Sequence, residues 1–221
     1  IALLIDNLQQ NKELVVYTNL MGKIAQQQLA KKPSNSLLHK KYTMYLAAYY
    51  NNLSIHLEEK GSLKSLDYLN KSIQLYASVS AHDEVYSSMV SIGLLLSRRK
   101  RYKEAISCYY AALKYFEKNE KDNNDGISYV YSNLGVLYGE QGQDQIAINY
   151  LKKAISYIDK KTEKLTVEDE LQKAAFYYNI GSKYILLKSY EKATYNLNQA
   201  LKLALKHKHN AYTSFALVKL G

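Results

Sequence analysis

The chain has 221 residues, with 30 basic side chains against 20 acidic ones and a formal charge of +10. One proline, nine glycines and a single cysteine, with 47% hydrophobic residues, exclude a disordered chain, collagen and a disulfide scaffold, and supply too few turn formers for an all-β fold. The longest aliphatic run, Ile92 to Leu96 broken by Gly93, is far short of the ~20 residues that cross a bilayer, so no membrane contact is expected; the repeated helix pairs below read as an all-α fold.

In chain order, residues 1–33 read as one or two helices ending before Pro33, a degenerate or capping unit, with Ser34 as N-cap of the next helix. The chain begins at Ile1 without a basic stretch and a small-residue cleavage site, so no signal peptide is read. Residues 34–80 hold a first helix pair, "YYNNLSIHLEEKGSLKSLDYLNKSI", with Tyr50, Leu53, Ser54, Leu57, Gly61, Ser65 and Ser72 at marked positions. Three stronger pairs follow at about 81–120, 124–160 and 167–208. In each, a glycine precedes one alanine by twelve residues and a second by seven more: Gly93, Ala105, Ala112; Gly135, Ala147, Ala154; Gly181, Ala193, Ala200. Ser54 to Ser65 is eleven, one residue short. Small residues at fixed spacing are what two antiparallel helices need where their backbones approach, with larger apolar residues beside them. Those are Ile92, Leu134 and Ile180 before the glycine, Leu96, Tyr138 and Tyr184 after it, and Tyr109, Leu151 and Leu197 on the second helix. Residues 209–221 read as the first helix of a further, truncated unit, with Leu217, Leu220 and Gly221 in register.

This pattern resembles the tetratricopeptide repeat: an aromatic (Tyr131, Tyr177, or Met89 in its place), a leucine–glycine pair, a tyrosine, then alanine, aromatic and alanine. The closing proline is missing, and the glycines are 42 and 46 residues apart, beyond the usual 34. The resemblance implies an α-α superhelix of stacked helix pairs whose first helices line a concave groove. By the same resemblance that groove carries Asn51, Asn52 and Ile55; Ser87, Val90, Ser91 and Leu94; Tyr129, Ser132, Asn133 and Val136; and Ala175, Tyr178, Asn179 and Ser182. The lining is polar and uncharged. Asparagine offers one acceptor and two donors, so Asn52, Asn133 and Asn179 suit the C=O and N–H groups of an extended peptide, or bond to a neighbouring helix. The Lys/Arg clamp that holds a chaperone's C-terminal carboxylate in some members is not in this lining.

No catalytic residue, cofactor or metal site is expected. His56 and Glu59 stand three apart on a helix without further ligands, and His207 and His209 are two apart, off a shared face. No Gly-rich phosphate loop, HExxH or GxSxG occurs. The basic cluster Arg98, Arg99, Lys100, Arg101 and Lys103 falls between helices and reads as a solvated turn, so no nucleic-acid partner is expected. Cys108 reads as a small buried hydrophobe. Of 23 tyrosines, eight (Tyr50, Tyr102, Tyr109, Tyr131, Tyr138, Tyr177, Tyr184, Tyr190) occupy motif positions, so the excess reads mainly as packing.

The functional expectation is a non-enzymatic module binding a peptide or protein segment. The long-period, Tyr-, Lys- and Asn-rich units resemble the sensor region of bacterial histidine kinases and related regulators, which implies a fragment of a larger signalling protein and the periplasmic side. The alternatives are a cytoplasmic peptide-pheromone receptor of the Rap type and an assembly scaffold. A homodimer through exposed repeat ends belongs to the same expectation.

Overall fold

The computed structural model describes residues 2–31, 36–118 and 123–220, with side chains from residue 16 onward apart from that of Glu59. Among them the backbone forms ten helices and no strand: α1 (Ala2–Ala30), α2 (Ser36–Glu59), α3 (Ser65–Ser78), α4 (His82–Arg98), α5 (Tyr102–Phe116), α6 (Asn124–Glu140), α7 (Asp144–Asp159), α8 (Val167–Leu186), α9 (Tyr190–Lys206) and α10 (Asn210–Leu220). The N-terminal stretch is thus one helix where the sequence left one or two open. Pro33, Ser34 and Gly221 lie outside the described residues, as does the side chain of Glu59. Contacts divide the chain into two compact units, residues 1–99 with α1 to α4 and residues 100–221 with α5 to α10. The division falls in the turn of the 81–120 segment, so α4 and α5 belong to different units.

The turns show how the chain reverses direction with a single proline. Gly61, Gly142 and Lys188 each adopt positive φ, at 69°, 73° and 55°, seven residues after Ser54, Gly135 and Gly181. In each turn the next backbone N–H reaches five residues back: Ser62 to the Leu57 carbonyl at 2.8 Å, Gln143 to Tyr138 at 2.9 Å and Ser189 to Tyr184 at 2.9 Å. Ser80 and Lys208 repeat the device between α3 and α4 and between α9 and α10. A left-handed residue followed by this long bond satisfies the orphan carbonyls of the helix end and turns the chain, which is the work a closing proline would otherwise share.

Packing within a pair follows the small-residue register. A Cβ on Gly135 would lie 2.8 Å from Leu151 Cγ and 3.2 Å from the Ala147 carbonyl oxygen; one on Gly181 would lie 2.7 Å from Leu197 Cγ and 3.2 Å from the Ala193 oxygen. Ala147, Ala154, Ala193 and Ala200 are buried against these helices. A second contact, one helix turn pair away, uses serine in alternating fashion. Ser72 of α3 donates to the Ala47 carbonyl of α2 at 2.8 Å, whereas in the third pair Ser128 of α6 donates to Ala154 of α7 at 2.9 Å. In the fourth pair both places are alanine, Ala174 and Ala200, and both are buried. In the weak first pair Ser72 therefore holds the register with a buried hydroxyl bond instead of a methyl contact.

In the first unit α1 packs on α2, and Gly22 lies so close to the ring of Tyr49 that a Cβ there would come within 2.5 Å of it. At the α2–α3 turn Arg99 donates to Glu58 Oε2 and to Ser65 Oγ, both at 2.7 Å, and Ser65 donates to the same carboxylate oxygen at 2.7 Å. Burial raises the Glu58 carboxyl, but the Ser65 and Arg99 donors and the Arg99 charge outweigh it and hold the group below its ordinary value. Of the basic cluster read from the sequence, Arg99 is thus tied to Glu58, and Arg101 is paired with Glu104 at 2.6 Å.

Candidate functional site

The face predicted to bind is built on first helices and is best taken one unit at a time. In the second unit Tyr129, Ser132, Asn133 and Val136 are spaced to share one face of α6. Tyr129 and Val136 are 51% and 46% exposed, so neither is spent on the core. The Asn133 amide donates to the Tyr129 carbonyl at 2.9 Å, four residues back in its own helix, so one of its donors is already committed. Ser132 is buried and donates to the same carbonyl at 2.9 Å. On α8, Ala175, Tyr178, Asn179 and Ser182 are half-buried. The ring of Tyr178 packs against Phe215 of α10 with centroids 6.0 Å apart, and Ser182 Oγ is shielded from solvent without a hydrogen-bond partner.

In the first unit Asn52 and Ile55 of α2 and Ser87 of α4 are exposed, and Asn51, Ser91 and Leu94 half-buried. Asn51 Oδ1 is another shielded atom without a hydrogen-bond partner, and the Ser91 hydroxyl donates to the Ser87 carbonyl at 3.4 Å. Val90 is buried and belongs to packing instead of an accessible lining: valine at that place is consumed by the apolar stripe that carries Gly93.

A feature the sequence reading missed is a tyrosine stack that joins the two helices of a pair. In the third pair Tyr150 of α7 lies against Tyr138 (5.3 Å, 9° between planes) and Tyr131 (6.0 Å, 26°), and Tyr131 also meets Tyr157 at 5.6 Å. Lys153 Nζ stands 5.2 Å from the Tyr131 ring centre and 5.7 Å from that of Tyr150. The hydroxyls of Tyr150 and Tyr110 are 2.6 Å apart, and Tyr131 donates to Glu117 at 3.0 Å. Burial first, then hydrogen bonding to Glu117, pushes the Tyr131 phenol up; burial first, then Tyr110, does the same to Tyr150, so both phenols remain neutral. The first pair repeats the motif. Tyr50 stacks on Tyr68 at 5.6 Å, with Lys71 5.1 Å from the Tyr68 ring centre. The signal was present: Tyr68 and Tyr150 each stand four residues before the second small residue, Ser72 or Ala154, and Lys71 and Lys153 one residue before it. Tyr190, by contrast, holds a motif position yet is 64% exposed.

Reactive groups are accounted for structurally. Cys108 is half-buried, not fully buried as its helical position suggested, and burial followed by the Glu104 charge pushes its thiol up, away from nucleophilic thiolate. His207 Nε2 and Glu170 are 2.6 Å apart, and His209 stacks on Tyr212 at 4.3 Å. Among the described residues no three His, Cys, Asp or Glu side chains gather to hold a metal ion, and no helix is long and apolar enough to cross a membrane.

Residues 84–157 match the tetratricopeptide repeat family. No curated protein matches the chain. Among solved structures it is similar to BtubC (BKLC) from P. vanneervenii, with a TM-score of 0.65 and 16% identity over 89% of this chain and 82% of that one. It is also similar to the nearly identical TPR-like repeats of a putative kinesin light chain from Podosopora anserina, with a TM-score of 0.57 and 17% identity over 93% and 94%. Residues 84–157 thus match the tetratricopeptide repeat family, and the described chain has the fold of stacked antiparallel helix pairs that these solved repeat structures share.

Proposed function

We propose that the chain binds an extended peptide or protein segment on the face of its first helices, as the recognition part of a signalling protein. Tetratricopeptide repeats are typically non-catalytic modules for protein interaction, which makes a binding or scaffolding role the common ground. The observation that carries the finer reading is the α6 face. Tyr129, Asn133 and Val136 follow one another at helical spacing, and the aromatic and the aliphatic residue are left to solvent although the helix has a complete core face of its own. An exposed phenol ring, an amide and a branched aliphatic without a charge among them suit main-chain recognition flanked by apolar contact. The long glycine spacings of 42 and 46 residues and the richness in Tyr, Lys and Asn support placement in a sensor region.

The test is a display of random peptides against the chain, followed by titration of the selected peptide. The double variant Asn133→Ala with Asn179→Ala is expected to weaken that peptide at least about ten-fold, the equivalent of roughly 1.4 kcal/mol. Unchanged affinity at unchanged helicity rules the face out.

A further inference from the structure

The fourth pair breaks the tyrosine stack, and the break leaves a cleft. Tyr131, Tyr138 and Tyr150 recur 46 residues later as Tyr177, Tyr184 and Asn196. The two outer rings are kept and the inner one is replaced by a short amide, which turns back to donate to the Lys192 carbonyl of its own helix at 2.7 Å. Between α7, α8 and α9 a cleft of about 490 Å³ opens over Ile155 and Ile180, with Tyr177, Tyr184 and Asn196 on its walls and Lys152, Lys192 and the carboxylate of Glu191 at its rim. Lys152 and Lys192 each hold an ammonium 5.7 Å from the ring centre of Tyr184, and Lys152 also donates to its hydroxyl at 3.2 Å. Tyr129, Asn133 and Asn179 are not part of its lining.

We infer that this cleft is a second recognition site, and that its occupant is a tyrosine side chain of a partner polypeptide, seated between Tyr177 and Tyr184 as Tyr150 is seated between Tyr131 and Tyr138. The chain itself shows that a phenol ring fits this frame of helices twice, in Tyr150 and in Tyr68. The cations suit the same guest. Lys71 and Lys153 stand over the internal stacks, and the exposed Lys152 and Lys192 are long enough to move aside and then stand over the faces of an incoming ring. A branched aliphatic side chain fills volume but offers no face to stack or to attract the ammonium groups, so the site discriminates by aromaticity. The inference rests on the reading that the chain binds polypeptides, but on residues that reading does not use.

The experiment is a titration of the whole chain, with isotope-labelled tyrosine rings, by acetyl-Gly-Tyr-Gly-amide and by its leucine counterpart. A single anchor is expected to bind with a Kd on the order of 1 mM, shifting the Tyr177 and Tyr184 resonances saturably, with the leucine peptide at least about ten-fold weaker. Asn196→Tyr, which supplies the ring from within, is expected to abolish these shifts without lowering Tm. Should that variant fold poorly, the exposed pair Lys152→Gln with Lys192→Gln is expected to weaken binding several-fold. The inference is overturned if no saturable shift appears, if leucine binds equally, if Asn196→Tyr folds and binds like the parent, or if the lysine pair changes nothing. Asn133→Ala with Asn179→Ala is expected to leave the cleft shifts intact, so failure of the first-helix face and failure of the cleft are read on different resonances.

Discussion

At the scale of residues, a helix pair is held by what is missing from its side chains. The absent side chain of Gly135 lets Leu151 and the Ala147 carbonyl come within contact of the α6 backbone, and Gly181 does the same for Leu197 and Ala193. Gly135→Leu forces the pair apart against a backbone oxygen that cannot rotate away, and the expected loss is about 1–3 kcal/mol or more, an overpacking cost that exceeds the gain in helix propensity. Urea denaturation measures it, and a variant as stable as the parent contradicts the register. The residue scale is where the sequence was most legible. Each aligned glycine and alanine of the third and fourth pairs is buried because only a small residue permits the approach. Val90 shows the limit, since a position that a motif assigns to a surface is buried once neighbouring apolar groups compete for it.

At the scale of elements, helix ends carry the specificity. The turns share a left-handed residue, but Gly142 adopts it without steric cost while Lys188 crowds its Cβ against the backbone. Gly142→Ala is expected to cost about 1 kcal/mol, and Lys188→Gly to add about 0.5–1 kcal/mol, less whatever the freer unfolded chain returns. Thermal melts of the two single variants decide it; equal and same-signed shifts contradict the turn geometry. The start of α8 carries a full capping box: the Thr166 hydroxyl accepts from the Asp169 N–H at 3.1 Å, and the Thr166 N–H donates to Asp169 Oδ2 at 2.8 Å. Lys161 joins Asp169 to Asp125. Burial raises the Asp169 carboxyl, but the Lys161 and Thr166 donors outweigh it and hold the group below its ordinary value. A carboxyl lowered on folding stabilises fully above its unfolded value, near pH 4, and that contribution is lost as pH falls through the folded value. Asp169→Asn is therefore expected to lower Tm at pH 7 and to lose less stability than the parent on going from pH 5 to pH 2. Parallel pH profiles of Tm for parent and variant would remove Asp169 from the acid limb.

At the scale of the whole molecule, the helices within each unit pack on their neighbours in sequence, α2 on α3 and α6 on α7, α7 on α8 and α8 on α9. Stability in such an array is a sum of local and nearest-neighbour contributions. Hydrogen exchange of Gly135→Leu is expected to speed the amides of α6 and α7 strongly while those of α2 and α3, in the other compact unit, exchange at parent rates. Uniform acceleration along the chain would mean a single cooperative block. By itself the sequence determined the all-α class and the inner faces of the third and fourth pairs, because backbone approach restricts residue size at fixed spacing and that restriction is written in the order of residues. Tertiary structure alone decided where the chain divides, at Arg99 and Lys100, and which tyrosines stack. Tyr131 meets Tyr150 only through the antiparallel return of the chain, a pairing that no periodicity within one helix records. The cleft at Asn196 has the same origin, since one missing ring becomes an opening only when two others are held in place across it.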